Sequence, residues 1–409
     1  TLIINFAFVD QIFAQKEKCG TMALYEKHAV EHPELIQKRI NDEIELQKRI
    51  ALNQSPQKRS TAYITIPVVV HVLYNASSDN ISDAQINSQI DILNQDFRLL
   101  NPDSLQPSHP FWMNIADCGI EFCLASVDPN GNPTTGITRT FTDSTAFAAA
   151  GYEKFSSTGG VDNWDPTKYL NIWVCNLGNS GGTLGYATFP SDLGAAPEED
   201  GVVIGHEYFG TLGTVVSPYN GGRTATHEIG HWLGMRHIWG DAFCGDDLIS
   251  DTEPAEGDNG GCPTFPHRAN NSCGAGANGE MYMNYMDYVN DDCMNMFTFG
   301  QSQRIEENIN FQRSGLATSN GCNLVAINDY GFNPIEIYPN PGNGLFKIQN
   351  STSGRSTMVR VFNLMGSKVY EGTYSGFEFN LDLTELEKGI YLLNMDIGKE
   401  NFVEKVIIE

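Results

Sequence analysis

The sequence predicts an α/β or α+β domain, preceded by a helical segment and followed by a small antiparallel β-sandwich. Three observations predict it. Residues 63–75, YITIPVVVHVLYN, form a β-rich run with a helix signal directly behind it. Residues 244–293 carry four cysteines in a stretch rich in Gly, Asn and Asp, where covalent staples must replace a core. From Ile335 onwards, short apolar runs alternate with Gly, Asn and Pro turns.

In chain order, TLIINFAFVDQIFAQ reads as the remnant of a signal-peptide apolar region over residues 1–15. Lys16 to Leu52 is helical in pattern, with Leu35, Ile36, Ile40, Ile44 and Leu46 at helix spacing. Pro56 ends that pattern, and Lys58-Arg59 offers a basic cleavage site, so residues 16–59 read as a removable prosegment. The central domain spans 60–329. Ser82 with Gln85 forms a capping box ahead of Ile86, Ile90, Leu93 and Phe97. Short strands follow at Ile120–Val127, Leu170–Val174 and Gly201–Gly205, and residues 330–409 make the sandwich.

The chain has 409 residues, 41% hydrophobic, which allows a sizeable core and excludes wholesale disorder. Lys plus Arg is 25 against 50 for Asp plus Glu, net −25. Residues 61–329 alone hold 9 basic and 32 acidic side chains, net −23. That balance argues against nucleic acid, whose phosphates demand a basic face, and favours cations or basic substrates. No apolar run reaches the ~20 residues that a membrane-spanning helix needs.

The chemistry centres on ATHEIGHWLGMRH, residues 225–237. His227 and His231 lie four apart, so a helix projects both rings from one face. Glu228 neighbours the first. Gly234 permits a sharp turn, after which His237 supplies a third nitrogen. Three protein ligands and an open position describe a catalytic Zn²⁺ site, whereas a structural site needs four. A second pair, His206-Glu207, has Gly210 where another histidine would be required, and is dismissed.

With MYMNYMDYVNDDC downstream at 281–293, this pattern resembles the metzincin metallopeptidases, and within them the pappalysin family, ulilysin-like (cytophagalysin-type). CGDDLISDTEPAEG and NYMDYVNDDCMNMFTFGQ support the match over roughly residues 16–325. The resemblance implies an α+β metzincin-like zinc peptidase domain, with an upper mixed sheet and helices above an irregular, disulfide-stapled lower subdomain. Glu228 would be the general base acting on a zinc-bound water, Tyr288 a donor to the oxyanion, and Met286 the apolar Met-turn floor. The segment 182–190 is the candidate edge strand for an extended substrate. Asp292 would select Arg or Lys after the scissile bond. Cys19 would occupy the zinc in a latent form. Asp246, Asp247, the Ile249 carbonyl, Thr252 and Glu256 would hold Ca²⁺. Cys244–Cys273 and Cys262–Cys293 are the implied disulfides; the remaining four are paired, without support from the resemblance, as Cys118–Cys123 and Cys175–Cys322. Residues 335–409 resemble the type IX secretion sorting domain through IYPNPGNGLFKI, VFNLMGSKVYEG and LEKGIYLLNM. The expected product is a zinc endopeptidase, exported through the outer membrane to the cell surface or medium, acting on proteins or peptides. A metzincin of other specificity and a zinc-bearing but inactive adhesin are the competing readings.

Overall fold

The computed structural model describes residues 18–53, 63–148, 151–178, 181–322, 335–350, 357–363, 367–374, 376, 378–397 and 400–409. The segment 1–15, the Lys58-Arg59 site and the 329/330 boundary lie outside them. The chain divides into two compact units, Thr1–Asn323 and Leu324–Glu409.

The first unit opens with two helices, α1 (Thr21–Glu31) and α2 (Glu34–Leu52), where the periodicity predicts one. The break falls at His32-Pro33. A proline ring crowds the residue before it out of helical backbone, and His32 sits at φ −128°, ψ 74°.

Strand β1 (Ile64–Tyr74) is the spine of a six-stranded sheet. Its first half pairs in parallel with β2 (Ile120–Leu124) and its second with β3 (Ile137–Phe141). On the other side follow β4 (Leu170–Cys175) and β6 (Val202–Gly205), both parallel, and then β5 (Gly185–Ala187), antiparallel at the edge. Residues 66–73 of β1 are all buried, as a strand covered on both faces requires. Helix α3 (Asp83–Phe97) begins where predicted, the Ser82 hydroxyl accepting the Gln85 amide at 3.1 Å. Helix α4 (Arg223–Trp232) is buried along its whole length, and α5 (Phe299–Gln312) starts from a capping box of Thr298 and Gln301.

Between α4 and α5 the described residues contain one short 3-10 turn, Asp291–Cys293, and isolated bridges. Cys244–Cys273 and Cys262–Cys293 are formed there, as the resemblance implies. The other two pairings are corrected: the third disulfide is Cys123–Cys322, and Cys118 and Cys175 are buried free thiols. Register explains it. Cys123 lies opposite Pro67 on β1, and the chain returning after α5 lays Gly321 against Pro67 and Tyr169, delivering Cys322 to that spot. Cys118 instead packs into the core beside α3, and Cys175 into the cluster around Trp173 and Tyr186.

The second unit is the predicted sandwich. One sheet runs β10 (Lys368–Tyr374), β9 (Thr357–Asn363), β12 (Gly389–Ile397), β13 (Glu400–Ile408). The other runs β11 (Glu378–Asp382), β8 (Leu345–Asn350), β7 (Ile335–Tyr338), and every pairing is antiparallel. Phe346, Ile348 and Leu381 from one sheet and Val361, Leu393 and Met395 from the other share its core. No described helix is long and apolar enough to cross a membrane.

Candidate active site

Helix α4 is fastened before it does anything chemical. Asp96, near the end of α3, accepts from Arg223 Nε at 3.2 Å, Thr226 Oγ1 at 2.7 Å and Tyr285 Oη at 2.8 Å. One buried carboxylate thus ties α3, α4 and the 281–289 segment together, and paired buried charges of this kind are costly to break.

His227 and His231 leave α4 on one face. Gly234 then turns the chain at φ +93°, where a Cβ would lie 2.2 Å from Asn308 Nδ2, and His237 comes back to meet them. The three Nε2 atoms stand 3.1, 3.1 and 3.2 Å apart. A tetrahedral ion with nitrogens at ~2.0–2.1 Å has corners about 3.3–3.4 Å apart, so the set fits zinc. Each ring is oriented from behind. Nδ1 of His227 donates to the Tyr285 carbonyl at 2.7 Å, His231 to the Met235 carbonyl at 2.8 Å, and His237 to Asp241 Oδ1 at 2.5 Å. With Nδ1 protonated, every Nε2 turns a lone pair to the centre. Asp241 was not anticipated; its position four residues after His237 is the signal that a search for carboxylate partners of ligating histidines would have used.

Met286 underlies the site. A Cβ at Gly230 would lie 2.4 Å from its sulfur, so the glycine inside HEIGH is what lets that floor approach α4. Trp239 stacks on His237 with centroids 4.4 Å apart, and the Tyr288 ring lies 4.9 Å from His237. Glu228 is buried under β5, where a Cβ on Gly185 would come 3.1 Å from its Cγ. Burial pushes its carboxyl up to about 8, against hydrogen bonds from Thr21 and Cys19 that lower it. A divalent cation on the neighbouring imidazoles acts in the same direction as those bonds.

The prosegment runs through this centre. The Cys19 sulfur lies with the three ring nitrogens, all four within 4.8 Å of one another, and 3.3 Å from Glu228 Oε2. Thr21, missed in the sequence, donates to the same Oε2 at 2.9 Å and accepts from the Ala187 amide at 2.9 Å. Residues 18–20 add to the free edge of β5: Leu184 N donates to Lys18 O at 2.7 Å and Gly20 N to Gly185 O at 2.9 Å. The candidate substrate strand is therefore a real edge, and prosegment backbone lies along it.

Behind these contacts α1 and α2 are held ionically. Arg39 Nη2 meets Asp192 Oδ2 at 2.7 Å, and Arg304 grips Glu43 with two bonds of 2.8 and 2.6 Å. Burial alone would raise the Glu43 carboxyl, but Arg304 holds it down at about 2. His28 is buried, with Nδ1 3.0 Å from Asp192 and Nε2 3.4 Å from Glu199. Burial lowers its pKa, and the two carboxylates outweigh that and raise it. Docked His28 thus binds its proton more tightly than free histidine at ~6.5. Its stabilisation is complete below that value and fades as pH climbs through the docked pKa. The melting-temperature gap between wild-type precursor and His28→Gln should accordingly be larger at pH 5.5 than at pH 9; a gap that widens with pH would contradict it.

The other anticipated residues are placed as follows. Asp292 is exposed, with its carboxylate near the Cys262–Cys293 bridge; its neighbour Asp291 is the buried one, its Oδ2 accepting the Gly221 and Arg223 amides at 2.8 and 3.2 Å. Asp291 lines the cavity beside the three histidines, and Asp292 does not. In the acidic loop Thr252 Oγ1 lies 2.9 Å from Asp247 and 2.7 Å from the Ile249 carbonyl. Asp246 accepts the Leu248 amide, and Glu256 turns away to the Ser272 amide and hydroxyl. His206 sits apart with Asp79, and Glu207 is exposed.

A buried trio of converging imidazoles over a methionine floor, set beneath the edge strand of a mixed sheet, is the centre of a metzincin-type metallopeptidase. Residues 156–310 match the family described as "Pregnancy-associated plasma protein-A", and residues 336–409 match "Secretion system C-terminal sorting domain". An extracellular metalloprotease of Arthroderma benhamiae is 33% identical over 65% of this chain and 86% of its own. A promirolysin variant of Tannerella forsythia is 44% identical, with a TM-score of 0.67 over 76% of this chain and 100% of its own. Mature mirolysin of the same organism, solved with a cleaved peptide, is 48% identical, with a TM-score of 0.61 over 65% and 100%. The chain belongs to the pregnancy-associated plasma protein-A, or pappalysin, family of metallopeptidases, and it is a secreted enzyme of that family.

Proposed function

We propose that the protein is a zinc endopeptidase made as a latent precursor, cutting proteins or peptides with a preference for Arg or Lys after the scissile bond. The observation that carries this is the trio of Nε2 atoms 3.1–3.2 Å apart with Glu228 beside it and the Cys19 sulfur facing it. His227, His231 and His237 would hold the ion, which when bound lowers the pKa of a coordinated water to ~7 and polarises the scissile carbonyl. Glu228 then takes a proton at its carboxylate and delivers it to the leaving nitrogen. Tyr288 would donate its phenolic hydrogen to the oxyanion. Backbone of the substrate would pair with β5, where residues 18–20 now lie.

Residues 16–59 would be the piece removed, 60–329 the catalytic domain, and 330–409 the address read by the type IX machinery. Asp246, Asp247, the Ile249 carbonyl, Thr252 and Glu256 would take Ca²⁺; Asp247 is buried and pushed up to about 7, a carboxylate that a cation would relieve. Zymography of processed protein, with chelator and then with zinc restored, tests the main reading. Clearing that vanishes and returns supports it, and no clearing in any lane would favour the inactive adhesin.

For specificity, Asp292→Asn should lower the ratio of kcat/KM for peptides with Lys against Ala after the cut by about tenfold, the scale of one charge-assisted hydrogen bond. An unchanged ratio would remove Asp292 from that role.

A further inference from the structure

Lys18, next to the switch cysteine, is not free to swing. Its carbonyl is pinned by the Leu184 amide at 2.7 Å, and its side chain runs away from the histidines along the 281–289 wall. There Nζ donates to the Tyr288 carbonyl at 2.5 Å and lies over the Tyr219 ring, 5.0 Å from its centroid. Thr224, Asp287, Asp291 and Met294 complete the cavity. Both carboxylates in it are already engaged. Asp291 accepts two backbone amides, and Asp287 accepts from Asn259 N and Nδ2 at 2.8 and 2.7 Å. They give the cavity a negative field, while the carbonyl and the aromatic face are the direct partners of the ammonium. A cation within ~6 Å of an aromatic centroid gains roughly 0.5–2 kcal/mol.

We infer that Tyr219 and the Tyr288 carbonyl form the recognition point for a basic side chain, and that Lys18 is its resident occupant in the latent chain. The inference rests on the proposed preference for basic residues and adds the residues that read them. It makes latency double: Cys19 covers the metal site and Lys18 fills the subsite, so a basic substrate residue has to displace the prosegment's own.

The test uses the full chain carrying Glu228→Gln, so that nothing is cut. Iodoacetamide labelling of Cys19, assigned by peptide mass because Cys118 and Cys175 are also thiols, reports how often the segment lifts away. Lys18→Met and Tyr219→Leu should each speed labelling about 2–30-fold, the range of a cation–π contact. The double variant should be no faster than the quicker single, and Lys18→Arg should stay near wild type. In processed enzyme Tyr219→Leu should cut the Lys-over-Ala ratio by the same factor. A wild-type cleavage profile without basic residues would overturn the specificity reading together with this role. A basic profile with additive or absent labelling effects would overturn the inference alone.

Discussion

Glu228→Ala is expected to bind zinc stoichiometrically and to cleave peptides at least ~10²–10⁴-fold more slowly than wild type, the range associated with loss of a general base. The carboxylate touches Thr21 and Cys19 and none of the three ring nitrogens, whose Nδ1 partners are Tyr285, Met235 and Asp241. Removing it therefore leaves the ligand cage oriented. Metal content by atomic absorption and single-turnover rates on processed protein check the two halves separately. Near-normal turnover at full zinc occupancy would refute the assignment of the base.

Cys19→Ala is expected to shorten the lag before self-processing by an order of magnitude or more. The sulfur faces the three nitrogens and hydrogen-bonds Glu228, so it covers metal site and base together. Burial pushes this thiol's pKa up, with the Glu228 charge adding to the effect, whereas a cation would draw out the thiolate that ligates it. Thr21 would remain on Glu228 and residues 18–20 on β5, so the precursor should mature faster without being fully active at once. Time courses by gel and by peptide hydrolysis measure it. Superimposable courses would mean that some other residue of the prosegment holds the site shut.

What the sequence made legible was local. The spacing of His227, His231 and His237, the turn at Gly234, the Ser82 cap and the alternation of the last strands follow from periods and turn chemistry within a few residues. The implied family frame brought the two lower disulfides and the place of Met286. What escaped depends on segments far apart in the chain. The Cys123–Cys322 bridge joins residues 199 apart, and only the register of β2 on β1 brings them together. Thr21 on Glu228 and Glu43 on Arg304 are contacts over 207 and 261 residues. Composition could locate charge between 61 and 329, yet not which of two adjacent aspartates turns inward; a one-residue change of facing decides between Asp291 and Asp292.

The open margin of β5 has a bearing on which proteins this enzyme could attack. Leu184 N and Gly185 O use their hydrogen-bonding capacity on Lys18 and Gly20 of the latent chain, and processing would leave both groups bare beside the cleft. A native target whose backbone is already spent in its own helices and sheets has nothing to offer them. Segments that are frayed, extended or partly melted do. The catalytic centre would then act as a probe of disorder in its targets, and susceptibility would track the opening free energy of each target's loops more closely than the abundance of Arg and Lys on its surface.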